Sequence, residues 1–132
     1  MQCEADFQTK FSRWKVYNKK CSALFELKFS KIDNIPFARL EEHQERALLR
    51  AKHDQICYKM PDDNFAQKPS DMFCIYKGGG YVVIMYYKKG VKHFYVIDID
   101  DWIKERETST RKSLTEARAS IIGVKYELGK IY

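Results

Sequence analysis

The 132-residue chain contains no apolar run approaching the ~20 residues that a membrane-crossing helix needs. Met1 leads into a mixed polar segment, without the charged and then apolar pattern of a secretory signal. A soluble, intracellular protein with no membrane partner is the expectation. Clustered metal ligands are also missing. Cys3, Cys21, Cys57 and Cys74 are widely spaced and form no CxxC pair, so a zinc site is not expected. Scattered thiols in an intracellular chain are expected to be reduced and packed. His43, His53 and His93 show no HExxH spacing, and there is no GxxxxGK[ST] phosphate loop. The triplet Gly78, Gly79 and Gly80 joins two strand-like runs and reads as a hairpin turn rather than a phosphate cradle.

What is present argues for a folded chain. A hydrophobic fraction of 45% and a charged fraction of 32% fit a packed core under a solvated surface. The length suits one domain over residues 1–132, with 107–132 as a C-terminal helical extension. The net charge of +6 suggests polyanion binding only weakly, and its distribution says more. Lys10, Arg13, Lys15, Lys19 and Lys20 follow one another with no acid between them, and Trp14 and Tyr17 sit among them. Two readings stay open for this run, a solvated helix face and a nucleic-acid contact.

Phe7, Phe11 and Trp14 recur at i, i+4 and i+7, which predicts a helix over 4–17. Residues 22–30 alternate as a strand, with Ala23, Phe25, Leu27 and Phe29 on one face and Leu24, Glu26, Lys28 and Ser30 on the other. A helix is predicted from about Pro36 to Lys52, with Phe37, Leu40, Ala47, Leu48 and Ala51 inward, Gln44 on that stripe and His43 at its edge. Strands follow at 55–60, 71–76, 81–87 and 93–99, the middle two as a hairpin around the glycines. A short helix near 101–106 comes next. A last helix is capped by Ser113-Leu-Thr-Glu116 and stopped by Gly123. The order predicts a mixed α/β domain.

The sharpest local feature is Glu26-Leu27-Lys28, two opposite charges pointing the same way from an otherwise apolar strand. A strand so apolar on its other face is expected to be central. Charges on its second face must then pair or hold a metal. The competing reading is an exposed pair on an edge strand. Asp71, straight after Pro69-Ser70, opens another strand, and reads either as a ligand-binding carboxylate or as a turn residue. If the two strands are neighbours, Glu26 and Asp71 can grip one hard divalent ion, with Lys28 beside it to position or deprotonate a water. That is equipment for metal-assisted phosphodiester hydrolysis. Asp98, Asp100 and Asp101 could bind a metal, but a strand exit and a helix N-terminus are the expected explanation. The run Tyr81 to Tyr95 is expected to pack most of its aromatics in the core, with base stacking against DNA as the alternative for some of its tyrosines.

The stretch from about Ser22 to Glu105 resembles the PD-(D/E)xK nuclease superfamily. Within it, the chain is similar to small phage and bacterial relatives of the RecU-type Holliday junction resolvases. The residues that carry the likeness are Phe25-Glu26-Leu27-Lys28-Phe29, Pro36-Phe37, Glu42-His43-Gln44 and Lys68-Pro69-Ser70-Asp71-Met72-Phe73. The resemblance implies a restriction-endonuclease-like mixed β-sheet flanked by helices. It implies Glu26 and Asp71 as metal ligands, Lys28 as the catalytic lysine and Gln44 lining the site. A buried Gln satisfied by backbone groups is the alternative for Gln44. Glu4 on the first helix is a further candidate ligand, with Asp6 as fallback. The implied cofactor is Mg²⁺, with Mn²⁺ able to substitute. The implied substrate is branched DNA, cut by a homodimer in the cytoplasm of a bacterium or of a phage-infected host. Lys10, Arg13, Lys15, Lys19, Lys20, His43 and Lys68 are the candidate DNA contacts. One departure stands out. In the family the Asp strand comes before the Glu-x-Lys strand, whereas here Asp71 comes 45 residues after Glu26. A rearranged strand order in the active site would reconcile the two.

Overall fold

A computed structural model describes residues 4–17, 23–60 and 70–128. Helix α1 (Glu4–Tyr17) leads to strand β1 (Leu24–Ser30) and the short strand β2 (Asn34–Pro36). A single 3-10 turn (Phe37–Arg39) precedes α2 (Glu42–His53). Then come β3 (Gln55–Lys59), β4 (Met72–Tyr76), β5 (Gly80–Tyr86), β6 (His93–Asp98) and α3 (Ile99–Thr108). The chain continues through β7 (Ser113–Thr115), α4 (Glu116–Ile122) and β8 (Val124–Glu127). The fold is mixed α/β. A four-stranded sheet in the order β1-β5-β6-β8 is parallel at β1–β5 and antiparallel elsewhere. Two ribbons, β2–β7 and β3–β4, stand apart from it.

Alternation along the strands sorts the core into two layers. Val82, Ile84, Tyr86, Tyr95 and Ile97 meet Leu48 of α2, Trp102 of α3 and Ala119 of α4 on one face. Phe29, Val83, Met85 and Phe94 meet Phe7 and Phe11 of α1 on the other. Strand β5 is buried on both faces, which explains its nearly unbroken apolar run, Tyr81-Val-Val-Ile-Met-Tyr86. The aromatics of β5 and β6 are core residues as expected, Phe94, Tyr95 and Tyr86 being almost wholly buried.

Several sequence expectations are corrected. The strands at 71–76 and 80–86 do not form a hairpin; β4 pairs antiparallel with β3, and β5 pairs parallel with β1. The glycine triplet serves a close passage instead. A Cβ on Gly80 would lie 2.2 Å from the carbonyl oxygen of Leu48, so α2 can seat on β5 only where that side chain is missing. Gly78 N–H donates to Ala51 O at 3.0 Å and Gly79 O accepts from Leu24 N–H at 2.8 Å, tying the triplet to helix and strand. Among the described residues strand β1 lies at the edge of the sheet rather than at its centre, with β5 as its one ladder. An edge lets a charged residue on its second face keep some water.

The second helix starts at Glu42 rather than Pro36, because Pro36 belongs to β2 and Phe37 N–H is held by Lys112 O at 3.0 Å. Thr115, not Ser113, caps α4, its hydroxyl accepting from Arg118 N–H. Ser113 lies in β7, and the end of the chain adds strand β8 to the main sheet, so 107–128 is not simply helical. Gly123 does end α4, but at φ −118°, so its role is close approach: a Cβ would meet Val96 O at 2.9 Å. Cys57 and Cys74 face one another in the β3–β4 register and form a disulfide, so these two thiols are not the reduced, packed pair expected. Cys3 and Cys21 lie outside the described residues. Among the described residues no helix is long and apolar enough to cross a membrane.

Candidate active site

Alternation puts Glu26 and Lys28 on the face of β1 that looks toward α2, since Phe25, Leu27 and Phe29 look toward α1. Gln44 stands at the third position of α2, on the helix stripe facing the sheet, as its spacing from Leu40, Leu48 and Ala51 requires. Helix and strand run so that Leu48 packs near the start of β1 and Gln44 reaches its middle.

The three side chains form one hydrogen-bonded trio. Gln44 Nε2 donates to Glu26 Oε1 at 2.9 Å, Lys28 Nζ donates to Gln44 Oε1 at 3.1 Å, and Lys28 Nζ lies 3.2 Å from Glu26 Oε1. Gln44 Oε1 also accepts the backbone N–H of Glu41 at 3.0 Å, closing a capping box in which the Glu41 side chain accepts the N–H of Gln44. That second commitment fixes the amide: its oxygen is bound to Glu41 and Lys28, and its nitrogen must face the carboxylate. The Glu41-x-x-Gln44 spacing is that of such a box, but with Glu in place of the usual Ser or Thr at the cap it is a weak signal in the sequence.

Lys28 is buried, with 7% of its surface exposed, so its charge requires partners. The trio supplies them. Glu26 keeps 30% of its side chain exposed, and both of its contacts within the trio fall on Oε1, leaving Oε2 turned to other uses. Glu26 lines a cleft of about 760 Å³ along the outer edge of β1, with Leu24 and Leu27, Phe73 and Tyr76 of β4, and Gln8 of α1.

Asp71 is not part of the trio. It precedes β4, and its carbonyl accepts from Met60 N–H at 2.8 Å, closing the far end of the β3–β4 ribbon. The expected pairing of its strand with β1 is not formed, and β4 brings Phe73 to Tyr76, not Asp71, to the cleft lining. Glu4 opens α1, which packs on the sheet face opposite Glu26, and Asp6 shares that helix. His43 is exposed next to Gln44, its Nδ1 3.3 Å from Glu41 Oε2. Lys10 is exposed on α1; Arg13 and Lys15 belong to the same helix. Lys19, Lys20 and Lys68 lie outside the described residues.

No family model, curated protein or solved structure matches this chain. The site therefore stands on its own geometry.

The donor set is oxygen-rich and sulfur-free. A hard ion such as Mg²⁺ binds through one or two carboxylates, waters and substrate phosphates, and Glu26 Oε2 offers one such oxygen. Among the described residues no three His, Cys, Asp or Glu side chains gather in one place.

A second charged cluster lies at the other end of α2. Lys52 Nζ is 2.6 Å from Asp98 Oδ1 and 2.5 Å from Asp100 Oδ2, and His53 Nε2 is 2.8 Å from Asp100 Oδ2. Burial pulls the Lys52 ammonium down, but the hydrogen bonds it donates to Asp100 and Asp98 outweigh it and hold the group up at about 12. Asp98 caps α3 by accepting from Asp100 N–H at 2.9 Å, so these acids do serve a strand exit and a helix start.

Proposed function

We propose that this protein is a metal-dependent DNA endonuclease that hydrolyses phosphodiester bonds, with branched DNA such as a Holliday junction as its substrate. The observation that carries the reading is the Glu26–Lys28–Gln44 trio, in which a buried lysine and a part-exposed carboxylate are locked together by a helix glutamine. The mixed sheet flanked by helices is compatible with a restriction-endonuclease-like fold.

In this reading Glu26 would hold a Mg²⁺ ion, with waters and substrate phosphates as its other partners and Mn²⁺ able to substitute, while Asp71, on the β3–β4 ribbon, stands outside this site. The ion, when bound, polarises the phosphoryl oxygen and lowers the pKa of a bound water. Lys28 orients the attacking water and offsets phosphate charge. Gln44 keeps Lys28 and Glu26 in register. The protein acts as a homodimer, since two symmetric strands at a junction need two sites. Lys10, Arg13, Lys15, Lys19, Lys20, His43 and Lys68 contribute backbone contacts.

The test is cleavage of four-way junctions and linear duplex in Mg²⁺ by the wild type and by Glu26→Gln, Lys28→Ala and Asp71→Asn. Loss of cleavage in Glu26→Gln and Lys28→Ala, with cleavage retained in Asp71→Asn, supports the trio; wild-type rates in Glu26→Gln and Lys28→Ala remove it. A second reading is favoured by one observation, the placement of Asp71 outside the trio. On that reading the chain binds DNA through a nuclease-like fold without cutting it, and no product forms with Mg²⁺ or Mn²⁺.

A further inference from the structure

We infer that the loop between α3 and β7, together with the 3-10 turn beside it, forms a second binding site for DNA backbone phosphates, engaged by the same duplex that reaches the Glu26–Lys28–Gln44 trio. This rests on the DNA reading above and names a surface that the basic run at Lys10–Lys20 does not include.

The loop reads Ser109-Thr110-Arg111-Lys112, and a groove of about 530 Å³ runs along it, lined by Thr108, Ser109, Thr110, Arg111, Ser113 and Arg118 among others. Hydroxyls and the Arg111 guanidinium, donors that phosphate oxygens accept from, share the lining with Glu105, whose carboxylate is held by Arg118. Ser109 Oγ accepts the backbone N–H of Arg111 at 3.1 Å, which folds the loop back on itself and leaves the Ser109 proton free to donate outward. The cations around this surface differ in how far they are committed. Arg118 is spent on Glu105, with two contacts of 2.8 Å. Arg106 is spent on Glu45. Arg39, Arg111 and Lys112 are exposed, and among the described residues none has a carboxylate within ion-pair distance. At the opposite end of α2, Lys52 is neutralised by Asp98 and Asp100. Uncommitted positive charge thus lies at the end of α2 that carries Gln44.

Hydrogen bonds fix where the loop sits. Lys112 O accepts from Phe37 N–H at 3.0 Å, and Ser113 pairs with Pro36 across β2–β7. Arg39 follows Phe37 in the same 3-10 turn. Seven residues separate Phe37 from Gln44, a span of at most ~25 Å even if fully extended. One turn of duplex is about 34 Å long, so a single duplex reaches the trio and the loop together. Each phosphate neutralised releases counterions, giving a slope of about −0.9 in log K against log salt.

The experiment is fluorescence anisotropy of a labelled duplex in EDTA, over a salt series, with wild type, Arg111→Ala/Lys112→Ala, the charge-preserving Arg111→Lys/Lys112→Arg, and Lys125→Ala on β8 as a control cation. All three variants change only exposed side chains, and matching melting curves check that each folds. The double alanine variant is expected to lose roughly tenfold in affinity near 0.1 M salt and to flatten the slope by about two. The charge-preserving variant should keep the wild-type slope, and Lys125→Ala should change it by less than half a unit. A wild-type slope in the double alanine variant overturns the inference while leaving the nuclease reading intact. A wild type with no salt-dependent DNA affinity overturns both. In Mg²⁺, a raised KM with unchanged kcat for the double alanine variant marks the loop as a binding surface rather than part of the chemistry.

Discussion

Replacing Gln44 by alanine tests the trio without touching either charged residue. The side chain makes three hydrogen bonds, to Glu26 Oε1, from Lys28 Nζ and from Glu41 N–H. Loss of the capping contact at the start of α2 costs about 1 kcal/mol. Lys28 then keeps only Glu26, and a buried ammonium short of one acceptor costs a further ~1–3 kcal/mol. A total of roughly 2–4 kcal/mol follows, which lowers the melting temperature by about 6–16 °C for a chain of this size. Urea melts of the Gln44→Ala, Lys28→Met and double variants give the decisive number, a coupling energy. With methionine at 28 the ammonium that needs Gln44 is absent, so the second substitution should cost ~1–2 kcal/mol less than it does alone. Additivity within about 0.5 kcal/mol would falsify the claim that Gln44 stabilises the buried lysine.

Other outcomes follow from separate features. Gly80→Ala drives a Cβ against the backbone oxygen of Leu48, which no rotamer change relieves, so a loss of about 3 kcal/mol or more is expected in chemical denaturation, and a loss under 1 kcal/mol would contradict the packing. Asp100 is held low, first by its hydrogen bond from Lys52, and Glu105 is held low by Arg118. Both depressed carboxylates add stability that is present above their unfolded values of 3.8 and 4.5 and is lost as pH falls below them, so acid melts of Asp100→Asn should show a weaker decline. Lys52 is the opposite case: its folded value is raised, so its contribution is complete below 10.5 and disappears as pH climbs toward about 12, and Lys52→Met should flatten the alkaline arm of the stability curve. Reducing the Cys57–Cys74 disulfide, whose cysteines are 17 residues apart in sequence, should lower the melting temperature, and alkylation of the folded protein without reductant should leave both thiols unlabelled.

Much of the trio was legible before any coordinates. The period-two pattern of β1 put Glu26 and Lys28 on one face, and the 3.6-residue stripe of α2 put Gln44 inward; both are local regularities, and both are observed. The partner strand was not legible. Parallel pairing of β1 with β5 joins residues 56 apart, as in Leu24↔Gly80, and leaves no turn chemistry in the chain to announce it. The glycines were misread for the same reason. A hairpin turn and a tight crossing under a helix both favour glycine, and only the packed position of Leu48 tells them apart. A hairpin of β4 with β5 would carry Asp71 toward the main sheet, whereas its strand belongs to the β3 ribbon. The β8 strand, Val124-Lys-Tyr-Glu127, is too short and too polar to stand out, and it exists because β6 offers it an edge.

The seat of α2 on β5 has a mechanical corollary. Leu48 lies one helical turn from Gln44, and Gly80 stands opposite Leu24, two residues before Glu26. The absent methyl at position 80 therefore sets how low the helix rides, and with it whether an amide can touch a carboxylate a few ångströms further along. Prising the helix upward at that pivot would part glutamine from glutamate while leaving every polar side chain in the protein chemically untouched.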